Sequence, residues 1–391
     1  MTIQSKSTLA ALSMVLMAGT AHAGGLDRTT YSPNILFEQG KVYIEGSLAR
    51  VNPDVDGDLS FPGNPGLLIP AVSGIDDMSP NYGLVSGGIK LDISDRIAVA
   101  FQTFEAVGAD IDYGAPPNFY TNLFADLTGR AYVGTAKISL TDNISVFGGI
   151  KHMVVSGEAT SLYGAGESWD FDPAHGTGYI AGIAYEKKEI ALRVSLTYES
   201  SIDIDLGTSR VGGATLVPNP APPPALVPFF FPPVSGTTTA TIPEAWELYF
   251  QTGIAPGTLL FGSVRHTSWS KANIVLLNDP SFDSNNVTDF SDSLTWNLGV
   301  GKQLTDRLSM SVSGTYEAGS GDPSTLQPVD GKFTLGVGAK YKLTENIELS
   351  GGISHTWLGD NETDVNTPGL PEGVFEDNHA WAFGTKIALR F

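Results

Sequence analysis

The sequence predicts an all-β fold, a transmembrane antiparallel β-barrel of about fourteen strands with long extracellular loops and a short N-terminal plug remnant. Three observations predict it. Apolar and polar residues alternate at period two along successive segments, tight polar turns recur between those segments, and an export leader opens the chain. The alternation is clearest in the final stretch, His379 to Phe391. There Trp381, Phe383, Ile387, Leu389 and Phe391 share one face, and Ala382, Gly384, Lys386, Ala388 and Arg390 share the other. A barrel in lipid needs this pattern in every strand, because hydrocarbon lies outside and polar groups or water lie inside.

Residues 1–23 read as a signal peptide: Lys6, an apolar run from Leu9 to Met17, then Ala21-His22-Ala23 as a small-x-small cleavage site. Residues 24–40 are the short plug remnant, with Ser32-Pro33-Asn34-Ile35-Leu36-Phe37 at its centre, and residues 41–391 are the barrel. After the leader no apolar run is long enough for a helical membrane span. With 42 Asp and Glu against 22 Lys and Arg, nucleic acid is excluded as a partner. The absence of cysteine removes disulfides and thiolate metal sites.

The strand count comes from the turns. Asp92-Ile93-Ser94-Asp95, Thr141-Asp142-Asn143, Glu186-Lys187-Lys188-Glu189, Ala255-Pro256-Gly257, Thr305-Asp306 and Thr344-Glu345-Asn346 each separate two alternating runs. Six hairpins, the run Lys41 to Val51 and the C-terminal strand make about fourteen. Within Ile190 to Glu199, Ile190, Leu192, Val194, Leu196 and Tyr198 face lipid, while Arg193, Ser195, Thr197 and Glu199 face the lumen. The segments between Asn81 and Val107 alternate poorly. Tyr185, Tyr198, Trp296, Tyr316, Tyr341, Trp357 and Trp381 fall near strand ends, as interfacial girdles require. The short turns are expected to face the periplasm. The long connections, near 52–79, 108–128, 156–175, 202–243, 270–288, 318–330 and 359–377, are expected to face outward. The fourth carries a proline-rich segment with Leu226, Phe229, Phe230 and Phe231. Such an apolar loop tip either captures a hydrophobic ligand or packs on Leu162, Tyr163, Trp169 and Phe171 to cap the mouth.

Several short motifs together resemble the FadL/TodX (OMPP1) family of outer-membrane transporters. Ile242-Pro243-Glu244-Ala245-Trp246-Glu247, followed by Thr267-Ser268-Trp269-Ser270, resembles that family's Leu-Pro-Glu segment and its following Trp-Ser. Val51-Asn52-Pro53-Asp54-Val55-Asp56-Gly57 is similar to the start of its first loop, and Phe375 to Phe391 to its last strand. The resemblance implies a bacterial outer-membrane protein that takes up hydrophobic molecules passively, long-chain fatty acids foremost. Capture between the third and fourth outer loops and sideways release at an inward-kinked third strand are also implied. The Leu162 to Phe171 and Phe229 to Phe231 segments occupy the matching loops, and Arg96 to Val107 the kinked strand. The plug is shorter here than in the family.

A fatty-acid carboxylate needs a cation in the lumen. Parity places Lys137, Lys151, Arg193, Arg265, Lys332, Lys340, Lys386 and Arg390 inside, where they can instead pair with Glu199, Glu317 and Glu348. Arg193 and Arg265 are the candidates for the ligand, together with Leu162, Trp169, Leu226, Phe229, Phe230 and Phe231. An aromatic-hydrocarbon transporter, a general polar porin and a surface adhesin are the alternatives. An enzyme is not expected: His152, His266 and His355 face outward, with no nucleophile elbow in the chain. Asp54, Asp56 and Asp58 suggest a calcium loop, yet its twelfth position is Pro65 where a bidentate Glu is needed. No cofactor or metal site is expected. The expected partners are hydrophobic small molecules, outer-membrane lipids and lipopolysaccharide, with the barrel acting as a monomer; sequons at Asn286 and Asn361 carry no weight in a bacterial chain.

Overall fold

The computed structural model describes residues 26–58, 74–114, 123–160, 165–219, 225–272, 274–278, 290–319, 329–362 and 373–391. The leader, Leu162, Tyr163, Pro65 and Asn286 lie outside the described residues. In chain order the strands are β1 (Val42–Asp54), β2 (Tyr82–Ser94), β3 (Ile97–Asp112), β4 (Phe124–Ser139), β5 (Ile144–Thr160), β6 (Ala165–Lys187) and β7 (Leu192–Glu199). Then come β8 (Ile202–Asn219), β9 (Ala225–Phe230), β10 (Val234–Ile242), β11 (Ala245–Ala255), β12 (Thr258–Thr267) and β13 (Ile274–Val275). The last are β14 (Ser293–Gln303), β15 (Leu308–Glu317), β16 (Lys332–Lys342), β17 (Ile347–Leu358), β18 (Asn361–Glu362), β19 (Val374–Phe375) and β20 (His379–Arg390).

Among the described residues, fourteen of these strands form a closed antiparallel wall: β1 to β7, β11, β12, β14 to β17 and β20. The C-terminal strand closes it, pairing with β1 from Tyr43↔Arg390 to Asp54↔His379. Closure pairs the first and last strands, so that neither presents a sheet edge to lipid. The alternation predicts the two faces correctly. Leu196, Trp381, Phe383 and Ile387 are exposed on the outside, while Arg193, Ser195, Thr197, Glu199, Ala382 and Ala388 are buried inside. Tyr185 and Tyr341 near the short turns, and Trp296, Tyr316, Trp357 and Trp381 toward the long loops, also face outward, forming two aromatic girdles.

All six expected hairpins form. Three share one device: the hydroxyls of Thr141, Thr305 and Thr344 accept from the backbone N–H of Ile144, Leu308 and Ile347 at 2.9, 2.9 and 3.1 Å. At Pro256-Gly257, Gly257 takes φ +65°, which glycine adopts without a Cβ penalty.

Several long loops prove shorter than the sequence indicated. β3 and β4 run on to Asp112 and from Phe124, and β5 and β6 are separated only by residues 161–164. The fourth connection is largely β-structure. β8 pairs with the outer part of β6, with β9 and with β10, so a small sheet rises from the wall between β7 and β11. Polar alternation such as Asp203, Asp205, Gly207 against Ile202, Ile204, Leu206 sustains it, and those three aliphatic side chains are buried.

The wall is interrupted between β2 and β3. Their pairing runs only from Ser94↔Ile97 to Gly87↔Thr103. Beyond that level β3 shifts register between Glu105 and Val107, and Ala106, Val107, Gly108 and Ala109 are buried in succession. The shift falls on the strand for which the family resemblance implies an inward kink. A bulge turns that strand away from its neighbour. The free edge of β3 is taken by the N-terminal segment: Arg28 N donates to Ala106 O at 2.9 Å, and Gly108 N to Leu26 O at 2.9 Å. Further along, a one-turn 3₁₀ helix, Pro33–Phe37, buries Ile35 and Leu36 with Tyr43, Ala100, Phe147 and Ala388 toward the short-turn end.

Candidate functional site

An apolar cavity of about 70 Å³ lies at the long-loop end beside the interruption. Leu26 and Val107 form its wall at the bulge, Leu127 and Phe171 its side, and Ile242 and Trp269 its roof. No charged side chain lines it among the described residues. Val107 and Gly108 of β3, the strand that borders the break in the wall, are part of the cavity's lining. A Cβ on Gly108 would stand 2.9 Å from Arg28 Nε, so the backbone here is closed in on both sides.

Trp269 owes its place to the residues that carry the family resemblance. Ser268 N donates to Glu244 O at 3.1 Å, and Lys271 Nζ to Glu244 Oε1 at 2.7 Å. Tyr198 OH donates to the other carboxylate oxygen of Glu244 at 2.9 Å. Ser270 ties the same turn to Asp292 through its N–H (3.0 Å) and its hydroxyl (2.6 Å). The bonds from Lys271 and then Tyr198 hold the Glu244 carboxyl below its ordinary range, and those from Ser270 do the same for Asp292. The turn thus fixes Trp269, which is fully buried and meets Phe290 edge-on at 5.8 Å.

Beneath the apolar cavity the lumen is charged and paired. Glu199 accepts from Lys151 at 2.8 Å and from Arg265 at 2.8 Å, and Arg265 Nε stands 3.9 Å from Asp27. On the other side of β3, Arg28 is buried with Asp110, lies 4.0 Å from Glu105 and covers the Tyr82 ring at 3.4 Å.

The structure disperses the residues singled out from the sequence. Arg265 lies near the cavity but is held by carboxylates. Arg193 is at the opposite, short-turn end, donating to Asn34 Oδ1 (2.5 Å) and Gln251 Oε1 (3.2 Å). Trp169 is buried behind the cavity, stacked at 6.4 Å on Phe171, which lines it. Phe229 and Phe230 are 50% and 72% exposed on the β8–β9 hairpin, which also carries Leu226, away from the cavity. Phe231 lies against Arg210 at 5.0 Å, and Arg210 lies over Trp169 at 5.6 Å, so one guanidinium clamps the hairpin to β6. Val107, Leu127, Leu206, Leu276 and Phe290 were not singled out. They come from separate segments with no common local signal, whereas Ile242 and Trp269 lay in plain view within the motifs.

A lipid-facing barrel with an apolar cavity under its long loops is an architecture suited to an outer-membrane transport channel. The chain belongs to the outer membrane protein transport family (OMPP1/FadL/TodX), whose match spans residues 172–391. That family comprises transport channels, not enzymes, and it places the protein in the outer membrane. Among relatives, the long-chain fatty acid transport protein of Salmonella typhi is 24% identical over 234 residues, 58% of this chain and 51% of its own length. The 47 kDa outer membrane protein of Pasteurella multocida is 24% identical over 199 residues, 49% of this chain and 44% of its own. The chain therefore spans about half the length of the curated relatives it matches. In fold it is similar to a Pseudomonas aeruginosa FadL homologue, with TM-score 0.67, 15% identity and coverage of 96% of this chain and 97% of that one. The Pseudomonas putida toluene transporter TodX is similar too, with TM-score 0.63, 11% identity and coverage of 94% and 96%.

Proposed function

We propose that this protein is a passive channel for hydrophobic compounds, with long-chain fatty acids as its first substrate class. The apolar cavity set against a break in the barrel wall is the observation that carries the reading. Ligand is captured at the exposed Phe229 and Phe230, settles under Trp269, and leaves sideways between β2 and β3 where no ladder blocks it. Residues 24–40 act as a plug. The leader 1–23 exports the chain, and the barrel works as a monomer among outer-membrane lipids and lipopolysaccharide.

Aromatic hydrocarbons are the second reading, and the cavity itself favours them. Its lining offers no cation for a carboxylate, although at about 70 Å³, against the roughly 150 Å³ of an apolar cavity that binds benzene, it must widen to admit either class of ligand. Direct binding of oleate and of toluene to the detergent-purified protein separates the readings, with a variant carrying Ser at 229, 230 and 231 alongside. Saturable oleate binding, weakened in the variant, supports the fatty-acid channel. Toluene binding alone moves the substrate to aromatics, and no binding of either returns the protein to the polar porins.

A further inference from the structure

Parity put eight cations in the lumen, and six of them make ion pairs. Lys151 and Arg265 share Glu199, Lys332 pairs with Glu317, Lys340 with Glu348, Lys386 with Glu45, and Arg390 with both Glu38 and Glu348. Arg193 and Lys137 make none among the described residues. They are also neighbours: Arg193 Cζ and Lys137 Nζ lie 4.6 and 4.3 Å from the centroid of the same ring, that of Phe37.

The arrangement is costly as it stands. Arg193 is 6% exposed, its two hydrogen-bond acceptors are neutral amides, and its Nε has no partner. A buried guanidinium without a counter-charge loses hydration and gains no ion pair in return, and a second cation beside it adds repulsion. Of the carboxylates that line the vestibule, Asp92 is held by Lys90 at 2.7 Å and Glu38 by Arg390 at 3.0 Å, and among the described residues Asp95, Asp142 and Glu186 make no ion pair with either cation; Glu186 and Asp92 act on Lys137 only at longer range. Both cations border a space of about 830 Å³ that opens at the short-turn end. Leu36 and Phe37 supply an apolar shelf beside them, which suits an amphiphile better than a bare inorganic ion.

We propose that Arg193 and Lys137 form a carboxylate-binding site at the short-turn end of the lumen, which receives the head of an acidic amphiphile. The proposal rests on the hydrophobic-channel reading and gives its ligands a second station below the N-terminal segment. An uncharged hydrocarbon would find nothing there, so the site sorts fatty acids from aromatics where the upper cavity does not.

The test compares oleate with oleyl alcohol, its uncharged counterpart, by titration calorimetry on the full barrel in detergent. A charge-assisted pair should favour oleate by about tenfold. Lys137→Gln and Arg193→Gln should each bring oleate affinity down toward that of the alcohol. Lys137 touches no backbone or side-chain acceptor among the described residues, so its variant tests the site even if Arg193→Gln disturbs the hold on Asn34. Equal affinity for the two ligands in the unaltered protein, or an equal loss of both in the variants, overturns the site and leaves the channel standing. Binding of neither overturns both. Acetate at millimolar concentration should not displace oleate; if acetate alone saturates the site, it reads small carboxylates and the assignment to an amphiphile head fails.

Discussion

Glu199→Gln is the most demanding perturbation of the lumen, because one buried carboxylate there answers two cations. Glu199 is 3% exposed at the long-loop end of β7, with Lys151 and Arg265 each 2.8 Å from a different oxygen. Each charge-assisted hydrogen bond contributes about 1.5–3 kcal/mol. The amide can keep one weaker bond of about 1 kcal/mol but faces two donors with one acceptor. Asp27, 3.9 Å from Arg265, offsets little of the loss. The expected destabilisation is therefore about 2–5 kcal/mol, overlapping the range of about 3–5 kcal/mol for breaking a buried pair by removing one partner. Urea unfolding from lipid vesicles, followed by intrinsic fluorescence, would read it as a shift in midpoint at unchanged slope. Adding Lys151→Met to Glu199→Gln removes the excess cation and should recover part of the loss. A destabilisation under about 1 kcal/mol would mean that water screens the triad as it does a surface pair, and the reasoning would fail.

Two further outcomes concern the cavity and its roof. Ala240→Phe projects a ring into the roughly 70 Å³ apolar space and should lower affinity for toluene at least tenfold in a competition assay, with the barrel still folded; unchanged affinity would place the ligand elsewhere. The turn that carries Trp269 should loosen in acid. Because Glu244 and Asp292 titrate below the ordinary carboxylate range in the folded protein, their contribution is present in full above that range and is lost as pH falls through the lowered values. Hydrogen exchange over residues 268–272 should rise below about pH 4 while the strands stay protected, and Glu244→Gln should reduce that dependence to the part carried by Asp292.

The barrel was legible because its signal is local and repeated. Each strand such as Ile190 to Glu199 shows its own two faces, and Leu140-Thr141, Leu304-Thr305 and Leu343-Thr344 announce the same turn three times. The lumen's cations were also legible from parity, with Glu199, Glu317 and Glu348 as partners, although parity could not say which would be left over. Arg193 and Lys137 remain without carboxylates because of where residues 33–37 lie, a long-range fact. The loop boundaries failed for a related reason. Polar residues such as Asp203 and Asp205 read as loop, yet Thr241 and Thr239 donate to them at 2.8 Å across the β8–β10 ladder. The cavity gathers single residues from segments as far apart as Leu26 and Phe290, and no window of sequence contains it.

The poor alternation between Asn81 and Val107 was the one irregularity that carried information. A strand with a bulge must break its own period, so Phe104-Glu105-Ala106-Val107 cannot alternate cleanly and also turn inward. The turn strands backbone groups on both sides of the gap. On β3 they are met by Leu26 and Arg28, and on β2 the Val85 carbonyl accepts from Arg130 at 3.3 Å. An unbroken neighbour such as β1–β2 keeps ten residue pairs in register, from Val42↔Leu91 to Val51↔Tyr82. Widening the gap between β2 and β3 breaks none of that kind above Gly87, and costs instead the two bonds to the N-terminal segment and one from Arg130, at about 1 kcal/mol each. The wall therefore carries its fewest ladder bonds between β2 and β3, and the groups that meet the free backbone there come from the N-terminal segment and from Arg130 of β4.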